Sequence, residues 1–550
     1  MSRLLQERIH DQAQARPTAL AVIGTQSRLT YGELEAAANR LARLLLHLGC
    51  RRGDRVALLA PKGPAAIVGL LATLKAGAAY VPLDPAGPAE RLARMLEAAD
   101  CSFLLAGSAT TALLRDTLDC ATLARRPQIG WLDSGDLSAP GEVPGFGVRE
   151  LEAFEASAPP ATGTPDDLAQ LLFTSGSTGL PKGVMIAQSS ILAFLDWARP
   201  HFGIAPTDRM SQHAPLHFDL STFDIFGALT SGAELHLVPP ALGLLPHKLA
   251  KFIREARLTQ WFSVPAALTL MAKHNVLQEG DFPELRRVLW CGEALPTPTL
   301  MHWMSRLPHA RFTNLYGPTE ATIASSHYTV PRCPLDEREA TPIGAACAGE
   351  ELMVLDGALR PLPMGETGEL YIRGAGLSPG YWRDAEKTRA AFLAYPGGAG
   401  PQDRIYRTGD LAWRDAAGCF HFVGRVDTQI KSRGYRIELG EIEAALQALP
   451  GLAESAVVAI PGDAFEGWTI CCAYVPAPPA EPPPARVRES LSKLVPSYML
   501  PTRWLRCDGL PRNGNGKVDR PQLRAAFQDS AAPEPDAVVA AARTATAART

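Results

Sequence analysis

The sequence holds no apolar run long enough to cross a bilayer. Its best stretch, 65–81, is broken by Lys75 and several glycines. An excess of one charge is missing too. The 54 Lys and Arg stand against 57 Asp and Glu, and a net charge of −3 leaves no electrostatic footprint for nucleic acid or an anionic membrane. Ten cysteines are scattered without a single Cys-x-x-Cys pair, and Cys471 and Cys472 are neighbours in an apolar run. That usage suits reduced, buried thiols in a cytoplasm rather than disulfides or zinc. Arg3, Glu7, Arg8 and Asp11 exclude an apolar secretory core at the start. The expectation is a cytoplasmic enzyme. Its 550 residues suffice for more than one domain and a large core.

What is present centres on 174–183, which reads Thr174-Ser175-Gly176-Ser177-Thr178-Gly179-Leu180-Pro181-Lys182-Gly183. Apolar runs at 168–173 and 184–186 flank it, so the pattern is strand, hydroxyl- and glycine-rich loop, second apolar segment. The glycines let backbone amides turn inward, the hydroxyls add donors, and Lys182 adds a positive charge, a combination suited to a polyphosphate. The spacing is not that of the common P-loop: Gly176 to Lys182 is one step too long, and Gly183 rather than Ser or Thr follows the lysine.

Helical and apolar-strand patterns alternate over the first part of the chain, which predicts an α/β architecture. A helix is expected from about 30 to 48, stopped by Gly49, and a buried strand at 55–59. Residues 107–165 carry weak periodicity and read as loops and short helices. Shorter strands with Gly and Pro turns at 343–372 predict a β-rich subdomain. Beyond 427 the pattern becomes a small α+β unit with a proline-rich loop at 476–484, and from about Ser530 an Ala-rich tail.

Three further stretches carry polar groups suited to a nucleotide. In Asn314-Leu315-Tyr316-Gly317-Pro318-Thr319-Glu320 a tyrosine face can stack on a purine, Thr319 can reach a phosphate, and Glu320 can hold Mg²⁺. Asp410 follows a tight turn, and one carboxylate there can accept two ribose hydroxyls. Lys517 on an Asn-Gly turn supplies a cation.

The loop and these stretches resemble, in order, ten motifs of the adenylate-forming enzymes: acyl-CoA synthetases, luciferases and the adenylation domains of nonribosomal peptide synthetases. The resemblance spans about 29–520. It implies a large domain at 1–426, built of two βαβ-type subdomains plus the β-rich one. A small mobile α+β domain at 427–528 and a disordered tail at 529–550 would follow. By the same resemblance Thr174 to Gly179 and Lys182 bind ATP phosphates. Gly292, Glu293, Ala294, Asn314, Tyr316 and Gly317 take the adenine side, Thr319 reaches a phosphate of the ATP or AMP, and Asp410 and Arg425 take the ribose. Glu320 carries the metal and Asp427 is the hinge. Thr319, Glu320 and Lys517 are catalytic, Lys517 bridging the substrate carboxylate and the α-phosphate. Ser378-Pro379 departs from the more usual Ala-Arg. No carrier-protein signature follows, so a separate peptidyl carrier protein, bearing a phosphopantetheine thiol, is the expected partner.

Phe218-Asp219-Leu220-Ser221 resembles the motif whose Asp pairs with a substrate α-amino group. A carboxylate in an apolar pocket wants a cation. The family's pocket positions fall on Asp219, Leu220, Phe223, Phe262, Leu289, Cys291, Leu315, Ile323, Ala324 and Lys517, an apolar set with two aromatic walls. The set resembles stand-alone ligases that load proline on a carrier protein, and L-proline is the expected substrate. Val, Ile, Cys and D-Ala are the alternatives, and outside this chemistry a coenzyme A ligase or a non-catalytic binding module.

Overall fold

The computed structural model describes residues 4–133, 145–160, 163–176, 181–400, 403–462, 467–513 and 517–529. Two large sheets carry the N-terminal part. An eight-stranded sheet contains Leu168–Thr174, Ala79–Pro82, Arg55–Leu59, Phe103–Ala106 and Gln128–Trp131 as parallel neighbours, with Lys182–Ala187 antiparallel at one side. A nine-stranded sheet runs Arg209–Gln212, Gln260–Ser263, Arg287–Cys291 and Arg311–Tyr316 in parallel, then Ser326–Thr329 antiparallel. Its strands are buried on both faces, and so read in sequence as short apolar runs without alternation. A five-stranded antiparallel sheet, 350–425, forms the β-rich part. The large N-terminal part and the small α+β C-terminal part give the mixed architecture expected.

The helix expected near 30–48 is Tyr31–His47. Thr30 accepts from the Glu33 amide, and the Glu33 carboxylate accepts in return from Thr30 N–H, a reciprocal cap that fixes the start. Of the stretch 107–165, residues 107–133, 145–160 and 163–165 are described, and they hold more regular structure than loops and short helices. They include the ten-residue helix Thr111–Cys120 and the strand Gln128–Trp131, which extends the parallel sheet. A four-residue buried strand is too short for periodicity to reveal. Ser378, at the departure from the family's motif, is buried and donates to Met185 O at 2.6 Å. The hydroxyl thereby ties the β-rich part to the Lys182–Ala187 strand.

The apolar clusters divide the chain. Two are built wholly from residues beyond 429, the others from residues up to 420. Beyond 429 come the hairpin Gln429–Ser432 with Tyr435–Glu438, the helix Leu439–Gln447 and a three-stranded sheet. The last helix, Arg520–Asp529, keeps Leu523 and Phe527 in that small core, so ordered chain runs one residue past the expected boundary. The expected tail from 530 lies outside the described residues. Among the described residues no helix is long and apolar enough to cross a membrane.

Candidate active site

The carboxyl ends of the parallel strands open into one crevice, the place where open α/β sheets bind ligands. Thr174 and Ser175 leave Leu168–Thr174 there. Phe218, Asp219 and Leu220 follow Arg209–Gln212, Cys291 and Gly292 end Arg287–Cys291, and Gly317 and Thr319 follow Arg311–Tyr316. Asp410 and Arg425 line it from the β-rich part, and Lys431, Tyr435 and Arg436 from the small one. The crevice therefore lies between the two cores. Ser177, Thr178 and Gly179 of the phosphate loop lie outside the described residues.

Asp219 occupies the N-cap of the helix Leu220–Leu229, but its side chain makes no capping bond. The carboxylate is left for the crevice. Burial pushes it up to about 6, against the Thr319 hydroxyl; Glu320 adds to the rise and Lys431 opposes it. Glu320 is fully buried. It accepts from Arg436 at 2.7 and 3.0 Å and from the Tyr381 hydroxyl at 2.8 Å, with Lys182 Nζ at 3.9 Å. Burial alone would raise its carboxyl; Arg436, then Lys182 and Tyr381 outweigh it and hold it at about 2. Asp410 accepts from the Tyr316 hydroxyl at 2.5 Å and pairs with Arg425, which reaches Asp427 at 2.7 Å. Tyr316, Asp410, Arg425 and the Asp427 carboxylate thus form one continuous network.

Several expected contacts are placed differently. Lys517 is exposed and does not line the crevice; its backbone N–H donates to Asn513 Oδ1 at 3.1 Å. The lysine at the crevice is Lys431, whose Nζ stands 5.4 Å over the ring of Tyr316, the residue expected to stack on a purine. The cause is the seating of the small part. Glu441 pairs with Arg91 and accepts from Gly176 N–H, Glu293 accepts from Gly434 N–H, and Ser175 donates to Arg436 O at 2.7 Å. These bonds direct the 429–438 hairpin, rather than 513–517, into the cleft. Asn314 turns away and donates to Pro342 O at 2.8 Å, and Ala294 is exposed outside the crevice. Phe223, Phe262, Leu289, Leu315, Ile323 and Ala324 are packed in the core behind Leu220 and Cys291 and do not line the crevice. Phe223 and Phe262 meet edge to face at 5.6 Å, so the aromatic walls close on each other.

Glu320 is the residue expected to hold Mg²⁺. Both its oxygens already serve Arg436, and one also serves Tyr381. A divalent cation there would meet two protein cations, Arg436 and Lys182, already drawn to the same carboxylate. As packed here the residues do not fit that metal.

Arg436, Glu441 and Arg91 escaped the sequence reading. The signal available was the run Arg433-Gly434-Tyr435-Arg436-Ile437-Glu438, a density of charge inside a short hairpin whose Ile437 is buried. Gly317 is required sterically. A Cβ there would lie 2.5 Å from the Ala324 Cα and 2.8 Å from Ser325 N. Gly317→Ala is therefore expected to displace 317–325 and destabilise the protein by about 1–3 kcal/mol, read as a lowered thermal midpoint; an unchanged midpoint refutes the contact.

A model of AMP-binding enzymes matches residues 9–382 and one of the AMP-binding enzyme C-terminal domain matches 441–517. The chain belongs to the AMP-binding enzyme family. It is 37% identical over 525 residues to an L-proline--[L-prolyl-carrier protein] ligase of Streptomyces coelicolor, covering 93% of this chain and 94% of that one. It is 36% identical over 525 residues to surfactin synthase subunit 2 of Bacillus subtilis, covering 95% of this chain but only 14% of that much longer protein. In structure it is similar to the Vibrio cholerae adenylation domain AlmE in complex with glycyl-adenosine-5'-phosphate. The TM-score is 0.83 at 27% identity, over 96% of this chain and 98% of that one.

Proposed function

We propose that the protein activates an amino acid with ATP as the aminoacyl adenylate and passes it to the phosphopantetheine thiol of a separate carrier protein. The observation that carries the reading is Asp219, a buried carboxylate at a helix start whose side chain makes no N-cap bond within the helix and which lines the crevice. A desolvated carboxylate there is a partner for an ammonium. The substrate carboxylate attacks the α-phosphorus, the new O–P bond forms and pyrophosphate leaves. What the chain contributes is position and positive charge: Lys182 and Arg425 beside the nucleotide, with Lys517 as the cation between the two reacting anions. In this reading the large domain ends at 426 and the small one turns about Asp427, exchanging Lys431 for Lys517.

L-proline is the proposed substrate. Leu220 and Cys291 leave a shallow apolar wall, with Phe223 and Phe262 closed behind it. A compact ring suits a shallow wall better than a long chain and has little rotamer entropy to lose. The Streptomyces relative agrees by its name. Val, Ile, Cys and D-Ala are the competitors. Pyrophosphate exchange across the amino acids tests this directly: L-Pro should rank first, and a clearly higher rate for another amino acid overturns it.

Asp219 also sets a pH dependence. With its carboxyl raised to about 6, the free site gains a proton as pH falls through 6 and loses its charge for the ammonium. The Michaelis constant for the amino acid should therefore rise below about pH 6 and stay flat above it. Asp219→Asn should raise that constant at neutral pH, leave that for ATP nearly unchanged and abolish the acid-side rise. A wild-type constant in the variant would refute the pairing.

A further inference from the structure

Away from the crevice, the hairpin that ends in Phe420–Arg425 brings three unlike donors together. The Asp415 carboxylate, the Cys419 thiol and a His421 ring nitrogen each offer one atom, and the three atoms lie within 4.8 Å of one another. Among the described residues they are the one such trio of His, Cys, Asp or Glu, in a chain with ten cysteines and 12 histidines. We propose that Asp415, Cys419 and His421 bind one divalent ion of the zinc class, a structural site that neither the adenylation chemistry nor the crevice requires.

The donors are held rather than merely adjacent. Asp415 Oδ1 accepts from the backbone N–H of Ala417 at 2.9 Å and of Cys419 at 2.8 Å, which closes the turn and leaves Oδ2 directed at His421 Nε2, 2.9 Å away. The His421 ring lies flat on Trp413, centroids 4.2 Å apart and planes 9° from parallel, so its orientation is fixed. Phe420 between them exchanges hydrogen bonds with Gly344, N–H to O at 2.9 Å and back at 3.1 Å, anchoring the hairpin to the large sheet's neighbourhood. Asp415, Cys419 and His421 are all half-buried, with an outer side open to solvent for a water as fourth ligand.

The donor set selects the ion. Thiolate sulfur, imidazole nitrogen and one carboxylate oxygen suit Zn²⁺, with bonds of about 2.0–2.3 Å, and do not suit Mg²⁺ or Ca²⁺, which take oxygen. A tetrahedral site of those bond lengths spaces its ligands by roughly 3.3–3.8 Å. Rotation of the Cys419 side chain and a small parting of Asp415 from His421 therefore complete it without moving the backbone. On binding, the Cys419 thiol gives its proton to solvent and the ion stands between Asp415 Oδ2 and His421 Nε2, the neutral imidazole carrying its N–H on Nδ1. The ion would staple the hairpin whose second strand runs straight into Arg425 and Asp427. The ligands are spaced Asp-x₃-Cys-x-His, a pattern that a search for Cys-x-x-Cys pairs passes over.

Cobalt(II) added to the full chain, first stripped by a chelator, tests the site through its thiolate-to-cobalt charge-transfer absorption. One equivalent should produce the band, and Zn²⁺ should displace it. Cys419→Ser should abolish the band, and His421→Gln, which leaves the thiol and the turn intact, should weaken binding at least about tenfold. Asp415 is left unchanged because its other oxygen closes the turn. Absence of a band in the wild-type chain, or a band of undiminished strength in either variant, overturns the proposal. Pyrophosphate exchange by the variants separates this from the functional reading, since both should adenylate at the wild-type rate.

Discussion

Lys517→Ala slows amino-acid adenylation by about 10²–10³, the range for losing one preorganised charge at the reacting centre, while transfer from supplied aminoacyl adenylate to the carrier thiol proceeds at nearly the wild-type rate. Lys431→Ala should show the reverse ranking. Lys431 lines the crevice and Lys517 stands exposed outside it, although the small core carries both. Both lysines belong to the small part and only Lys431 is in the site, so under the proposed turn about Asp427 each serves the arrangement in which it is inside. Pyrophosphate release and single-turnover thioester formation read the two half-reactions separately. Equal loss of both in both variants would show that the lysines act on binding alone and would end the proposed exchange about Asp427.

This pair also marks where the sequence stopped being informative. The motif around Lys517 and the stretch ending in Lys431 are both legible as local patterns, and each places its lysine on a short turn or strand. Which one faces the crevice depends on how two separately cored units are seated. The seating is fixed by bonds between residues 116 to 350 positions apart, such as Glu320 with Arg436, Gly434 with Glu293 and Arg91 with Glu441. No window of sequence contains both partners. The same reason hides the crowding of Glu320, whose local motif offers a metal ligand while Arg436, 116 residues later, claims its oxygens. The parallel strands and the positions of Thr174, Asp219, Gly292 and Thr319 just beyond strand ends were legible because each follows from a strand end and the turn after it; the hydrogen-bonded network of Tyr316, Asp410 and Arg425 was not. The apolar pocket was legible as a set of residues but not as a space. Phe223, Phe262, Leu289 and Ile323 are apolar for packing as much as for any ligand, and in the fold they pack on one another.

Arg436→Ala is expected to have the largest effect on stability. Glu320 is fully buried and reads as a carboxylate only because Arg436, with Lys182 and Tyr381, outweighs the cost of burying it. Removing one partner of such a pair costs about 3–5 kcal/mol, because the other charge is left without compensation. The pH dependence should change sign as well. In the wild type the Glu320 carboxyl is depressed to about 2, so its stabilisation is complete above the ordinary carboxylate range and is lost only as pH falls towards 2. Without Arg436, burial dominates and the carboxyl rises. The variant then gains stability as pH falls, where the wild type loses it. Arg436 is also the small part's direct hold on Glu320, so limited proteolysis should cut the 426–428 linker faster in the variant. Glu320→Gln placed on top of Arg436→Ala should recover most of the lost stability, since an amide needs no cation. Thermal unfolding of the two single variants and the double variant between pH 4 and 8 reads all of this. Additive losses in the double variant, or a wild-type pH slope in Arg436→Ala, would show that Glu320 and Arg436 are not the coupled pair that seats the small domain in the cleft.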